Sequence, residues 1–274
     1  MRSRRRFCPS HAAACLVFAA CSVWLTGCAP KRIALPTDPG APLPDFAQIH
    51  EQVSSQCRGA RTVTAELALS GRAGDQKLRG RVVFGFERPD AMRLEGVAPI
   101  GSPAFILVAR DGEATLLLPR DERVVRGAAP ESVLGALTGV TLSPADLGAL
   151  VTGCVVANPR PIAGHLHTNG WASIDLDDGA SIFLQRAQDG WHVRAARRSE
   201  WDVEYPEWQG RFPTSVRLRS DARASVDVTA AISQLEVNVD VPASAFTVTI
   251  PPGVRALSID ELRANGPLRE QDRK

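Results

Sequence analysis

Few residues in this 274-residue chain have the types and spacing that chemistry needs. His165 and His167 sit two apart, so in an extended segment both rings would share one face. With Asp175, Asp177 or Asp178 they could hold a metal ion; their setting between Gly164 and Gly170 reads instead as a solvated surface loop. Arg194, Arg197 and Arg198 form a basic cluster that could dock an acidic partner. Glu200, Asp202 and Glu204 follow at once, so a charged solvent face accounts for them equally. The sequence contains no Gly-x-Ser-x-Gly, His-Glu-x-x-His, phosphate loop or Gly-x-Gly-x-x-Gly. An enzyme needs a convergent polar constellation. None can be assembled, so the chain is read as a non-enzyme with no catalytic residue, no metal and no cofactor.

The cysteines carry more information. Met1 to Arg6 is basic, and Ala12 to Leu25 is an apolar run broken by one Ser. That run is too short to cross about 30 Å of hydrocarbon as a helix and fits the core of a secretory signal peptide. Leu25-Thr26-Gly27-Cys28 follows and resembles the lipobox of bacterial lipoproteins. The resemblance implies cleavage before Cys28 and acylation of that residue, with stable anchoring through more than one chain. It also implies the outer membrane, because Ala29 stands where an inner-membrane lipoprotein commonly has Asp. Cys8, Cys15 and Cys21 leave with the signal peptide. Cys57 and Cys154 remain, in a compartment where disulfides persist; they form one bridge or are two buried thiols.

Charge agrees with an envelope protein rather than a nucleic-acid binder. The chain has 32 Lys+Arg against 30 Asp+Glu. The signal segment holds four Arg and no acid, so the rest has 28 against 30. A nucleic-acid-binding domain shows a basic excess. At 44% hydrophobic and 23% charged the chain is neither disordered nor a polytopic membrane protein.

The elements that must position anything else are mostly strands. Ala29 to Pro44 is Pro-rich and reads as an extended tether. Asp45 is a candidate cap for a helix over about Phe46 to Gln56. Alternation then predicts strands at Thr62 to Ser70, Leu78 to Glu87, Met92 to Val97, Ala104 to Ala109, Ala114 to Leu118 and Arg123 to Arg126, with Asp111-Gly112 a hairpin turn. Pro130 to Leu137 reads as a helix. Ser143-Pro144-Ala145-Asp146 is a capping-box start for a second, with Gly153 near its end. Strands resume at Trp171 to Leu176, Ser181 to Arg186, Trp191 to Arg197, around Val216 and Leu218, over Ser225 to Val241, and at Phe246, Val248 and Ile250. A capping box at Ser258 opens a last short helix. Ten to twelve antiparallel strands with one apolar face must curl, and something must cover that face. The few short helices cannot easily fill the concavity, so an apolar cavity follows. Alternation nominates Phe84, Phe86, Leu94, Ile106, Val108, Leu116 and Leu118 as its walls, and Leu134, Leu147 and Val151 from the helices.

The order of these features resembles the LolA/LolB lipoprotein-localisation family, its outer-membrane LolB branch in particular. The resemblance rests on Arg93-Leu94-Glu95, Pro99-Ile100-Gly101, the Asp-Gly hairpin, Pro130 to Leu137 with Thr138-Gly139, and the helix ending at Gly153. It implies a mainly β (α+β) fold: a single antiparallel, strongly curved, unclosed barrel of about eleven strands with a helical lid. The implied boundaries are a signal peptide over 1–27, lipidated Cys28 and tether over 28–44, the half-barrel over 45–255, and a helix and charged tail over 256–274. The implied function is to receive acyl chains of lipoproteins, from a periplasmic LolA-like carrier, and help insert them into the outer membrane as a monomer. By resemblance Pro99, Ile100 and Gly101 form the membrane-insertion loop; the alternative is that Ile100 packs beneath its own loop. The long tether, the cysteine pair and the C-terminal extension depart from the family pattern. A non-carrier scaffold of the same fold with a filled interior is the rival reading.

Overall fold

A computed structural model describes residues 32–265, except 75, 99, 156–159, 199–200 and 221–224. The signal segment, Cys28, Pro99 and the charged tail from Gly266 lie outside the described residues. The unit that begins at Leu35 is compact and carries every element that follows.

In chain order these are β1 (Ala41–Pro42), α1 (Phe46–Gly59), β2 (Thr62–Ala73), β3 (Gln76–Glu87), β4 (Ala91–Val97), β5 (Ile106–Arg110), β6 (Glu113–Leu118) and β7 (Arg123–Ala128). Helices α2 (Pro130–Thr138) and α3 (Pro144–Val151) follow. Then come β8 (Pro161–Leu166), β9 (Trp171–Leu176), β10 (Ser181–Ala187), β11 (Gly190–Arg197), β12 (Asp202–Gln209), β13 (Phe212–Ser220), β14 (Val226–Val237), β15 (Arg255–Ala256) and α4 (Ile259–Asn265). All strands join one unclosed, mainly β sheet in the order β1-β8-β9-β10-β11-β12-β13-β14-β2-β3-β4-β5-β6-β7-β15. Pairing is antiparallel throughout except β15, which runs parallel to β7.

Two meanders, β2–β7 and β8–β14, are thus joined edge to edge by β14 on β2. Val226 lies opposite Ala73 and Ile232 opposite Leu67. A sheet this wide curls rather than staying flat. Its inner face is apolar by strict alternation: Val63, Ala65 and Leu67 on β2 face Phe86, Phe84 and Val82 on β3. All six are buried. Helix α2 lays Val133, Leu134, Ala136 and Leu137 on this core.

Fifteen strands replace the expected eleven or so. The two extra edges come from segments read as tether and tail: Ala41–Pro42 pairs with His165 and Leu166, and Arg255–Ala256 with β7. The extension from 256 therefore belongs to the same core, with Leu262 of α4 fully buried. The segment of Phe246, Val248 and Ile250 is not a strand. A 3-10 turn at Ala243–Phe246 packs on the outer side of β4 and β5, where Arg93 Nη1 donates to the Ala245 carbonyl at 3.1 Å.

Local signals fared well where they were chemical. Asp146 N–H donates to Ser143 Oγ at 3.0 Å and Ser143 N–H to Asp146 Oδ2 at 3.3 Å, completing the capping box. Asp111 and Gly112 both have positive φ, 52° and 79°, as a two-residue hairpin of this hand requires. Asp45 makes no side-chain cap to α1. Cys57, near the end of α1, is bonded to Cys154, just beyond α3, with Cα atoms 6.1 Å apart.

The second capping box fixes α4. Ser258 N–H donates to Glu261 Oε2 at 2.9 Å, and Arg123 Nη2 to Glu261 Oε1 at 3.0 Å. The Ser258 backbone donor first, then Arg123, hold the Glu261 carboxyl down at about 2 from its ordinary 4.5. A depressed folded-state pKa contributes stability that is present above 4.5 and lost as pH falls toward 2. Urea unfolding at pH 5 and pH 2 should therefore show a larger acid loss for wild type than for Glu261→Gln. Parallel losses in the two proteins would refute this role.

Candidate functional site

An apolar cavity lies between the junction of the two meanders and the helices. Leu67 and Leu69 of β2, Leu78 of β3, Val216 and Leu218 of β13, and Val228 and Ala230 of β14 form its floor. Thr138, Val140, Leu142, Leu147, Leu150 and Val151, from α2 through α3, form its roof. It holds about 100 Å³ inside and about 650 Å³ with its open mouth included. Leu69, Leu147, Leu218 and Val228 are half-exposed and mark that mouth.

Two glycines let the roof come down. Gly139 ends α2 in a left-handed conformation, φ 80°. A Cβ there would stand 2.9 Å from that of Ala73 and 3.3 Å from Val226 Cγ2. Gly148 of α3 lies on the ring of Phe86, where a Cβ would meet the ring at 2.7 Å. The buried Tyr205 of β12 fixes the far end of α3. Its hydroxyl donates to the Cys154 carbonyl at 2.8 Å and lies 3.2 Å from that of Leu150. Burial raises the Tyr205 pKa well above 10, so it stays a neutral donor.

The cavity offers a ligand no polar handle. Among the described residues Thr138 is the sole polar side chain in the lining, and its hydroxyl already donates to the Leu134 carbonyl at 2.8 Å. Such a site selects purely by hydrophobic transfer, about 0.8 kcal/mol per methylene removed from water. It can hold an alkyl chain and leaves any charged end outside.

The strand ends place the mouth. The β2–β3 turn at Gly74, the loop joining β4 to β5, the turn 119–122 between β6 and β7, and the ends of β13 and β14 at Ser220 and Val226 all lie at one end of the strands, called here the upper rim. Gly139 meets the same rim. Ile100, in the β4–β5 loop, is 87% exposed. Arg120 from the neighbouring turn donates to the Ile100 carbonyl at 2.6 Å and the Ser102 carbonyl at 3.2 Å, and Gly101 turns the chain with φ 80°. The loop thus holds Ile100 out into solvent rather than beneath itself.

The nominated cavity residues divide three ways. Leu147 and Val151 line the cavity. Phe84, Phe86, Leu94, Leu116, Leu118 and Leu134 point inward but belong to the solid core. Ile106 and Val108 are on the other face. Leu94 pairs with Leu107 and Leu107 with Leu116, whereas Val108 pairs with Arg93 and Ile106 with Glu95. Directly opposed residues share a face, so Leu107 and Ala109 are the inward pair. The 3-10 turn against β5 explains why the outer face is apolar there. The strand side of the true lining comes chiefly from β2, β13 and β14. Its signal was the alternation of Leu67 with Leu69 and of Val216 with Leu218.

No protein-family model matches the sequence, and no curated protein does either. Solved structures resemble the chain in shape. A LolA superfamily protein from Nitrosomonas europaea covers 74% of this chain and 97% of its own at 12% identity, with a TM-score of 0.46. A DUF1329 family protein from Desulfovibrio piger covers 75% and 97% at 13% identity and 0.49. An outer membrane lipoprotein-sorting protein domain from Vibrio parahaemolyticus covers 73% and 95% at 10% and 0.46.

The other candidate residues do not converge on one ligand. His167 is committed: its Nε2 bonds Ser173 Oγ at 2.8 Å and its Nδ1 lies 3.1 Å from the Asp38 carbonyl. His165 instead faces Asp175 at 3.8 Å. Among the described residues no group of three donors could hold a metal ion. The basic cluster is dispersed. Arg198 pairs with Asp178 at 3.3 Å and Asp146 at 3.8 Å, and Arg197 lies over the Phe183 ring. Trp171 and Trp201 are buried, and Trp208 stacks on His192 at 4.7 Å. No helix among the described residues is long and apolar enough to cross a membrane.

Proposed function

We propose that this protein is an envelope lipoprotein, anchored through Cys28 to the periplasmic face of the outer membrane, that holds acyl chains in the β2–β13–β14 cavity and hands them to a bilayer touched by Ile100. The observation that carries this reading is a shared position. The mouth of a cavity lined by apolar side chains apart from Thr138 and a solvent-held Ile100 lie at the same rim of one sheet. Contact of Ile100 with a bilayer brings the mouth to the phase into which an acyl chain would leave. No covalent step is required. Lipoproteins delivered by a soluble carrier are the natural clients, and the protein acts as a monomer. Pro99, Ile100 and Gly101 form the membrane-insertion loop in this reading.

The test uses the chain from Ala29, which retains the whole unit from Leu35. Titration with a fluorescent fatty-acyl probe should saturate near one per chain. Leu218→Arg at the half-exposed mouth should weaken binding by at least tenfold, since the buried segment loses several methylenes at about 0.8 kcal/mol each. Its thermal transition should stay cooperative. Failure of the folded wild-type chain to bind would sink the carrier and leave a scaffold.

A further inference from the structure

We propose that the cavity is a slot for one unbranched alkyl chain at a time, and that Ala230 is the residue that decides what fits. The proposal rests on the reading that the cavity holds acyl chains, and it names the kind of chain.

Strand register shows how the slot is hollowed. Directly opposed residues share a face, so the inward side chains form rows across the sheet. One row runs from Val82 through Leu67 to Ile232. All three are buried, and the row closes the slot toward the core. The next row toward the upper rim is Gly80, Leu69, Ala230 and Val216. One of these has no side chain and another a single methyl. The row beyond is Leu78, Gly71, Val228 and Leu218, again with a glycine. Inward residues along β14 thus read Val228, Ala230, Ile232, and the void lies over the small one. Inward rows stand about 7 Å apart along the strands, so the hollow is two rows deep. Leu147, Leu150 and Val151 of α3 lie across it as the roof.

Size and lining then define the ligand. The enclosed part holds about 100 Å³. That is less than the roughly 150 Å³ that admits one benzene ring in a protein core. Two chains cannot lie abreast in it, and neither a fused ring system nor a methyl-branched chain can enter. Among the described residues the lining holds no aromatic ring, and Thr138 is spoken for. Nothing inside can pair with a charged or hydrogen-bonding end, so that end stays in water. The shared chemistry is a straight alkyl chain, whether it belongs to a fatty acid, a phospholipid or a lipoprotein. A client with several chains would engage the slot by one of them and keep the others elsewhere.

The experiment is competition against the fluorescent fatty-acyl probe on the chain from Ala29, with native mass spectrometry to count bound ligands. Palmitate should bind one per chain. Lysophosphatidylglycerol, which carries one chain on a different head, should match palmitate within about threefold, since the head lies outside. Phytanate, a palmitate chain bearing methyl branches, should bind at least tenfold more weakly. Ala230→Leu puts a larger side chain into the void. At about fourfold per methylene displaced from the slot, it should weaken palmitate binding at least tenfold. Its melting temperature should equal or exceed that of wild type, because overpacking destabilises only where a core is already filled. Val216→Ala, in the same row, should widen the slot and bring phytanate within about threefold of palmitate. Two palmitates per chain, equal binding of phytanate and palmitate by wild type, or undiminished palmitate binding by Ala230→Leu would overturn the slot and leave the acyl-chain reading in place. So would a lower melting temperature for Ala230→Leu, or continued rejection of phytanate by Val216→Ala. A head-group preference above tenfold would show that the head, not the chain, is recognised, and would also overturn it. No binding of any of these ligands to folded wild type overturns both readings.

Discussion

A protein with both Cys57 and Cys154 replaced by Ser is expected to unfold about 10–15 °C below wild type. The bridge spans 97 residues. In the chain-entropy account, closing a loop of that length destabilises the unfolded state by about 4–5 kcal/mol. In a domain of this size each kcal/mol moves the midpoint by roughly 2–4 °C. The native side supports a cost near the top of the range. Both sulfurs are buried beside Ala149 in their own small cluster, so each Ser would place a hydroxyl among apolar atoms. The bridge joins α1 to the end of α3, and α3 supplies Leu147, Leu150 and Val151 to the cavity roof. The same variant should therefore bind the acyl probe more weakly at temperatures where it is still folded, as the roof loses its covalent tie. Tyr205 holds the same end of α3 by hydrogen bonds. Calorimetry checks the first effect and probe titration the second. A midpoint within about 3 °C of wild type would mean that the remaining contacts of α1 already confine the unfolded chain or the roof.

The sequence made the inner face of the first meander legible because β2 and β3 alternate without interruption. Leu67 and Leu69 announce their side through Thr64 and Glu66 on the other. The five residues of β5, Ile106 to Arg110, carry no such marker. They are apolar on both faces because a 3-10 turn from the far end of the chain covers the outer one, so parity alone put Ile106 and Val108 on the wrong side. Strand β8 was hidden for a different reason. Pro161, Gly164 and His165 are poor strand residues, and the glycine reads as a loop. Its actual use is close approach: a Cβ on Gly164 would lie 2.2 Å from that of Phe46 in α1. The cavity itself depends on the pairing of β14 with β2, more than 150 residues apart in the chain. No local pattern specifies that contact. Where chemistry is local, as at Ser143-Pro144-Ala145-Asp146, the reading and the structure coincide atom for atom.

Placement of the tether leads to the second large expected effect. Segment 38–44 does not hang free. Asp38 is held by His167, and Ala41–Pro42 adds to the edge of β8. His167 and the turn Thr168–Gly170 lie at the lower rim, at the opposite end of the strands from Ile100. If Cys28 carries the anchor, the chain leaves the sheet on the side away from Ile100, the bilayer contact we propose. Asp38 lies ten positions after Cys28, a span that reaches at most about 36 Å. The 12-residue β3 is about 40 Å long. At a barrel tilt near 40° it stands about 30 Å high. A fully extended tether is thus just long enough to let the upper rim turn back onto the anchoring bilayer. Deleting residues 30–37 leaves a reach of about 7 Å, far short of that height. The lipidated chain, reconstituted in vesicles with Ile100→Cys bearing an environment-sensitive dye, should give blue-shifted emission with the native tether and water-like emission after the deletion. Restoring the length with Gly and Ser should recover only part of the shift, because a flexible chain of ten residues averages about 18 Å end to end. Adding an excess of vesicles without protein should recover the shift in the deleted chain, since the loop can then enter a second bilayer. Equal emission before and after the deletion would show that Ile100 reaches its bilayer without the tether's length, and would place the anchor elsewhere than the lower rim.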